Sequence, residues 1–378
     1  MIKNVFNETA SFGGLITAVH DTESGRRFLP QELTFWEDIE DNLHEISDQL
    51  YSGSFPLDTY HTFPVYEPKL RKVICSDYRT KVIQRSAYNA LNLRLSRGWI
   101  TDTYACIPGR GNLKAAQKVA SWIDYCAASG KRWFYLKTDC EKFFYRLAKN
   151  VLMTQYDRKI SDRRMMDFLE HYVCHASKPF GIPRGVQNPL LLTDDQMLWD
   201  RGVAIGGGLS HMHGNVYLDP LDQYVKRDLQ IPFYARCMDD MVVLMDDKYR
   251  LHETYLMMKE FLEDRLLLNF NQKTAIRPIE CGVEFVGYFI RPHSMRLRKS
   301  TSLHMKHRLK QVQYLYAIGE MSFYEANETV QSYIAMMDKT DSKALREKIF
   351  SDFVLTHDLE LLKDDDAGRA PGSSGNVY

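Results

Sequence analysis

Apolar and polar positions alternate along this chain with two different periods, and the changes of period mark out its elements. Residues 32–51 carry Leu33, Trp36, Ile39, Leu43, Ile46 and Leu50 at spacings of three and four, which predicts an amphipathic helix. FPVYEPK and RKVICS read as short strands around a Pro68–Arg71 turn, and residues 79–97 and Leu113–Ala128 return to helical spacing. RWFYLKTDC predicts an aromatic-rich strand ending at an aspartate, followed by a mainly helical stretch over 142–175. Residues 177–215 are glycine-rich and without clear period; 216–228 predict a helix. Phe233–Arg236 and Met241–Met245 flank a tight turn, the pattern of a β-hairpin. A helix follows over 249–267, with Leu251, Tyr255, Met258, Leu262 and Leu266 on one face, then a strand pair around Val283–Ile290. From 301 to 350 the spacing is helical, with Leu309, Val312, Leu315 and Tyr316 together. This order of elements is α+β, with one mixed core and a helical C-terminal lobe.

Composition narrows the class. The 378 residues suffice for two or three lobes, and 44% hydrophobic with 26% charged residues is ordinary for a globular protein. No apolar run reaches the roughly 18 residues of a membrane span, and MIKNVFNETASFGG lacks the basic start and apolar core of a signal peptide. Seven scattered cysteines without a CxxC pair read as reduced thiols, so a cytoplasmic location without membrane is expected. The AGRAPGSSGNVY end reads as a disordered tail.

The formal net charge of zero averages unequal parts. Residues 37–58 are acidic, 69–118 strongly basic, Arg296–Lys310 basic again, and Asp352–Asp366 acidic. Clusters of this kind suit a protein that grips phosphates on particular surfaces, although each taken alone also reads as a solvated helix face.

Among the adjacent-aspartate pairs, Asp194-Asp195 opens a helix, where the dipole favours carboxylates. Asp246-Asp247 opens a polar turn and Asp364–Asp366 lies in the tail. Asp239-Asp240 differs, because RCMDDMVVL sets the pair at a hairpin tip inside apolar sequence. Charges so placed are costly unless a cation neutralises them. Asp139, at the end of WFYLKTD, has the same character. Carboxylates on neighbouring strands can hold two divalent ions about 3.5–4 Å apart. On the residues alone, this reading and a structural turn both stand.

The series of motifs resembles the ordered motifs of bacterial reverse transcriptases, over roughly residues 30–350. FPVYEPKLRKVI and DYRTKVIQRSAYNAL are similar to the segments preceding the first catalytic motif, and YLKTDCEKFF to that motif. GGGLSHMHGNVYLDPLDQYVK resembles the template- and nucleotide-contacting loop and helix, and CMDDMVVL the YxDD hairpin. LNFNQKTAI, GVEFVGYFI and VQSYIAMMDKTDSKALREKI resemble the following lysine motif, the primer-grip strand and the thumb of compact enzymes.

The resemblance implies a right-hand polymerase: an N-terminal extension over 1–29, fingers and palm over 30–295, a helical thumb over 296–352 and the tail over 353–378. It implies two magnesium ions, with manganese as an alternative, held by the catalytic Asp139, Asp239 and Asp240 together with the Cys140 carbonyl. Lys69, Arg71, Phe144, Ser210, His211 and Lys273 would meet the incoming dNTP, with Phe144 under its sugar and Phe143 in the core. Phe285 and Gly287 would position the primer end. Three departures stand out. Cys237 replaces the tyrosine of YxDD, Ser210-His211 replaces serine-glutamine, and Gly181–Pro189 (GIPRGVQNP) is similar to the same loop as residues 206–216. The latter are preferred because the NVYLDPLD helix must follow directly.

The implied activity is RNA-directed DNA synthesis, with an RNA template, dNTPs and a cDNA product. No separate RNase H or endonuclease domain is expected after residue 350. The implied settings are antiphage defence with a dedicated structured non-coding RNA, favoured by the altered motifs, or a diversity-generating retroelement. An RNA-binding, maturase-like protein is the reading from another class.

Overall fold

The computed structural model describes residues 1–23, 30–56, 59–65, 71–186 and 188–362. The expected disordered end from Ala367 lies outside them. The helices are α1 Phe6–Ala10, α2 Phe12–Glu23, α3 Pro30–Glu37, α4 Ile39–Ser52, α5 Tyr78–Ser96, α6 Asn112–Ala128, α7 Phe143–Arg146, α8 Lys149–Asp157, α9 Arg163–Cys174, α10 Ser210–Gln223, α11 Lys248–Leu266, α12 Lys299–Ala317, α13 Phe323–Asp338 and α14 Lys343–Phe350. The strands are β1 Tyr60–Val65, β2 Arg71–Ser76, β3 Phe134–Thr138, β4 Tyr234–Cys237, β5 Asp240–Met245, β6 Ala275–Pro278, β7 Val283–Phe285, β8 Tyr288–Arg291 and β9 Ser294–Leu297. The class is α+β, as the periodicity predicts. Among the described residues no helix is long and apolar enough to cross a membrane.

The chain forms two compact units. The first comprises Met1–Gly111, Leu136–Val243 and Lys248–Ile276; the second comprises Asn112–Tyr135, Leu244–Asp247 and Arg277–Tyr378. Residues 112–135 and 277–295 lie in the second unit.

In the first unit the expected N-terminal extension is part of the core. Val5, Phe6, Ala10, Leu15, Ala18 and Val19 are buried, and α1 and α2 pack on α5. The Asp162 carboxylate accepts the N–H groups of Val5 and Phe6 (2.8 and 2.9 Å) while also capping α9 through Met165. The helix expected over 32–51 is interrupted at Asp38, whose φ of −124° and ψ of 42° are not helical. β1 and β2 pair antiparallel, Tyr60 opposite Ser76 through Val65 opposite Arg71. The central sheet has the order β4-β5-β3-β6, so strands far apart in sequence lie side by side.

The glycine-rich stretch resolves into turns and short 3₁₀ segments, Pro189–Leu191 and Asp194–Gln196. Asp194-Asp195 therefore starts a single 3₁₀ turn. α10 begins at Ser210, six residues before the expected start, so Ser210 and His211 lie in its first turn. Two features permit this. Gly206 adopts φ +106°, which side chains disfavour, and the Ser210 hydroxyl donates back to the Ala204 carbonyl.

The second unit packs α6 against a β7-β8-β9 antiparallel sheet, with α12, α13 and α14 in succession. A Ser322–Glu325 capping box opens α13. The Tyr135 hydroxyl donates to the Gly282 carbonyl at 2.9 Å.

Candidate functional site

The β4–β5 hairpin turns in two residues. Cys237 pairs with Asp240, and Met238 takes φ +57°, leaving Met238 and Asp239 as the tip. One side chain organises this tip from below. Arg236, wholly buried, sends Nη1 to the Met238 carbonyl (2.9 Å) and to Asn215 Oδ1 (3.1 Å), while Nε and Nη2 grip the Asp222 carboxylate (2.7 and 2.6 Å). Asp222 also accepts from the hydroxyls of Thr103 and Tyr234. Burial opposes the charge on Arg236, but Asp222 outweighs it and the pKa is raised. Every strong acceptor of this buried set thus has a donor, as a low-dielectric site requires.

β3 lies next to β5. Beyond Thr138, whose hydroxyl bonds that of Thr274, the chain pairs with residues 269–271. Asn271 N–H donates to the Asp139 carbonyl (2.8 Å) and Glu141 N–H to the Asn269 carbonyl (2.9 Å), around a Cys140–Phe270 bridge. In such an antiparallel pairing the Cys140 carbonyl points to the opposite side. Cys140 is buried, and its thiol pKa is raised, first by burial and then by the carboxylates of Asp239 and Asp139. The charge of Asp239 is thus felt at the residue that follows Asp139 in the chain. Asp240 opens β5 and is ion-paired with Lys137 on β3, both partly exposed. Among the described residues, no three His, Cys, Asp or Glu side chains are gathered in metal-ligating geometry. The donor chemistry, carboxylate and carbonyl oxygen, nevertheless fits a hard divalent cation.

α7 follows directly. Phe143 is 3% exposed and packs so close to α10 that a Cβ on Gly214 would stand 3.0 Å from its ring and 3.3 Å from Met238 Sδ. Glycine at 214 therefore lets the helix, the ring and the hairpin tip meet. Phe144 is half-buried and meets the His211 ring edge-on at 5.9 Å. His211 is exposed at the surface, yet desolvation by surrounding protein lowers its pKa. Phe144 and His211 are thus brought together, whereas Ser210 is buried and spends its hydroxyl on Ala204.

Lys273 is exposed in the turn after Asn271. Arg71 opens β2, and Lys69 lies outside the described residues. Phe285 is buried at the end of β7 and Gly287 takes φ +92° in the β7–β8 turn, both in the second unit. The Arg236–Asp222 pair escaped the motif reading. Its only sequence signals are an arginine inside the strand YARC and an aspartate inside the apolar helix VYLDPLDQY.

No protein-family description matches the chain, and no curated protein is recognisably similar in sequence. Among solved structures it is similar to telomerase from Candida albicans in complex with a TWJ fragment of telomeric RNA, at 12% identity and a TM-score of 0.44, over 79% of this chain and 56% of that one. It is similar to apo telomerase from Candida tropicalis truncated of its C-terminal domain, at 12% identity and a TM-score of 0.46, over 65% and 55% of the two chains. A third likeness is to apo telomerase from Candida tropicalis, at 12% identity and a TM-score of 0.49, over 95% and 80%. The chain spans little more than half the length of the first two, 56% and 55%.

Proposed function

We propose that this chain is a template-directed nucleic-acid polymerase of the reverse-transcriptase kind, with a right-hand arrangement in which β3, β4 and β5 form the palm. The sheet order carries this reading: it sets β3, which runs into Asp139, beside the hairpin whose tip holds Asp239, and carboxylates from two neighbouring strands are what two-metal nucleotidyl transfer requires. Asp139, Asp239 and the Cys140 carbonyl would hold magnesium or manganese, with Asp240 released from Lys137 to join them. Metal bound there supplies activation of a primer 3′-hydroxyl and charge neutralisation on the departing pyrophosphate. The chain's own residues do the positioning. Arg236 fixes the hairpin tip, Gly214 admits the Phe143 ring, and Phe144 with His211 forms a wall against which a nucleotide sugar would lie. The proposed template is RNA and the product cDNA made from dNTPs. The scattered cysteines support a cytoplasmic location, and the motif resemblance supports work with a dedicated non-coding RNA in antiphage defence.

Primer extension on an RNA template with each dNTP tests the activity, and sequencing of co-purifying nucleic acid tests the template. Absence of metal-dependent extension on any RNA or DNA template would overturn the proposal.

A further inference from the structure

Past the carboxylates, the first unit contains a cleft that the polymerase mechanism leaves unused. It is lined by Arg146, Arg184 and Arg201, with Glu141, Leu267 and Asn269. The arginines come from three places: the end of α7, the turn after Pro183, and the segment that bridges Ala148. Backbone bonds hold them together, since Gly202 N–H donates to the Leu147 carbonyl (2.8 Å), Val203 N–H to that of Phe144 (3.0 Å) and Ile182 N–H to that of Tyr145 (3.3 Å).

Three guanidiniums in one small cleft repel one another. Arg146 registers this: its pKa is lowered, first by burial, then also by the charges of Arg184 and Arg201, with Glu141 opposing. It is 7% exposed, donates through Nη2 to the Pro183 carbonyl (3.1 Å), and keeps a buried Nε without a hydrogen-bond partner. A buried charged donor left unused is expensive. The carboxylates at hand are Glu141, which is exposed, and Asp200, which lies 3.5 Å from Arg201 Nε with 72% of its side chain exposed. The cluster is therefore short of negative charge at its buried end. A planar guanidinium with a spare N–H, flanked by two more that reach solvent, is matched by a tetrahedral oxyanion approaching from outside.

We propose that Arg146, Arg184 and Arg201 form a phosphate site that anchors one phosphodiester of a single-stranded RNA partner. This rests on the polymerase reading for the identity of the strand, and on the cleft itself for the anion. The site begins one residue beyond Cys140, since Glu141 and Asn269 belong both to the cleft and to the pairing that orients Asp139. A strand anchored there is held at a fixed distance from the carboxylates.

The test is fluorescence anisotropy of a labelled single-stranded RNA with the full chain across a salt series. The variants are Arg184→Gln with Arg201→Gln, which spare the buried Arg146, and Glu141→Gln. The double variant should bind about tenfold more weakly or worse, and the slope of log affinity against log salt should shrink by about 0.7, one phosphate contact's worth. Glu141→Gln should tighten binding several-fold. Thermal melting should stay unchanged in both. An unchanged slope in the folded double variant overturns the site. A raised KM for dNTP with unchanged RNA binding gives the anion to the nucleotide and also overturns it. Absence of RNA binding by the unaltered chain removes this proposal and the RNA template together. The expected slope change in a chain that extends no primer would support the site while removing the polymerase reading.

Discussion

The guanidinium of Arg236 closes on the carboxylate of Asp222 through two hydrogen bonds of 2.7 and 2.6 Å, with both side chains wholly buried. Removing one partner of such a pair strands a charge in a low-dielectric interior. Asp222→Ala should therefore cost about 3–5 kcal/mol of unfolding free energy, read from urea denaturation. It should also loosen the tip that Arg236 holds through the Met238 carbonyl, so catalysis should fall more than substrate binding. A loss under about 1 kcal/mol would mean that the pair is dispensable for the hairpin.

Asp239→Asn combined with Asp240→Asn should abolish DNA synthesis and leave the fold intact. The Lys137–Asp240 ion pair is partly exposed, and such pairs contribute about 1 kcal/mol or less. Primer extension beside thermal melts separates the two effects. Normal synthesis by the folded double variant would end the two-metal reading.

The two phenylalanines of α7 should behave oppositely. Phe143→Ala opens a cavity between α7 and α10, at a cost of about 3–5 kcal/mol. Phe144→Ala removes an aromatic wall that shares its contact with His211. It should admit ribonucleotides into the product while DNA synthesis partly survives, because steric rejection needs a rigid ring. Parallel extension with rNTPs and dNTPs decides it, and unchanged sugar selection would place the exclusion at another residue.

His213 supplies a pH prediction. Burial lowers its pKa to about 3, and its Nδ1 lies 2.7 Å from the Tyr156 hydroxyl. The folded protein thus keeps it neutral, while the unfolded chain protonates it near pH 6.5. Below that value the unfolded state binds the extra proton, so stability falls with pH down to about 3, by roughly 1.4 kcal/mol per pH unit from this group. Denaturation at several pH values, with His213→Asn as reference, should show the slope reduced by one proton in the variant.

Much of this was legible because periodicity reports burial. The hairpin, β3, α5, α6, α11 and the C-terminal helices all follow their apolar spacing. Asp139 and Asp239 stand out for the same reason, as charges ending apolar strands. What escaped depends on distant partners. The break at Asp38 leaves the apolar spacing untouched, and the early start of α10 hangs on Gly206 and on Ser210 reaching Ala204. The arginine cleft needs residues 146, 184 and 201 in one place, and no local pattern encodes that. The Lys137–Asp240 pair is a cross-strand contact, so nothing in CMDDMVVL announces that one of its two aspartates faces a lysine.

The bond from Val5 to Asp162 spans 157 residues, and it sets an order of events during synthesis. α1 and α2 can settle on α5 once residue 96 has emerged, but the N–H groups that open α1 wait for Asp162. At roughly 5–20 residues per second the 66 residues from Ser96 to Asp162 take about 3–13 s. Through that interval the apolar start of the chain is only half enclosed, and Ile2 still lacks its neighbours at 159–161. Slow closure of a long loop is the step that delays folding and exposes sticky surface. The yield of native protein should therefore depend on chaperone supply and growth temperature more steeply than the stability of the finished fold would suggest.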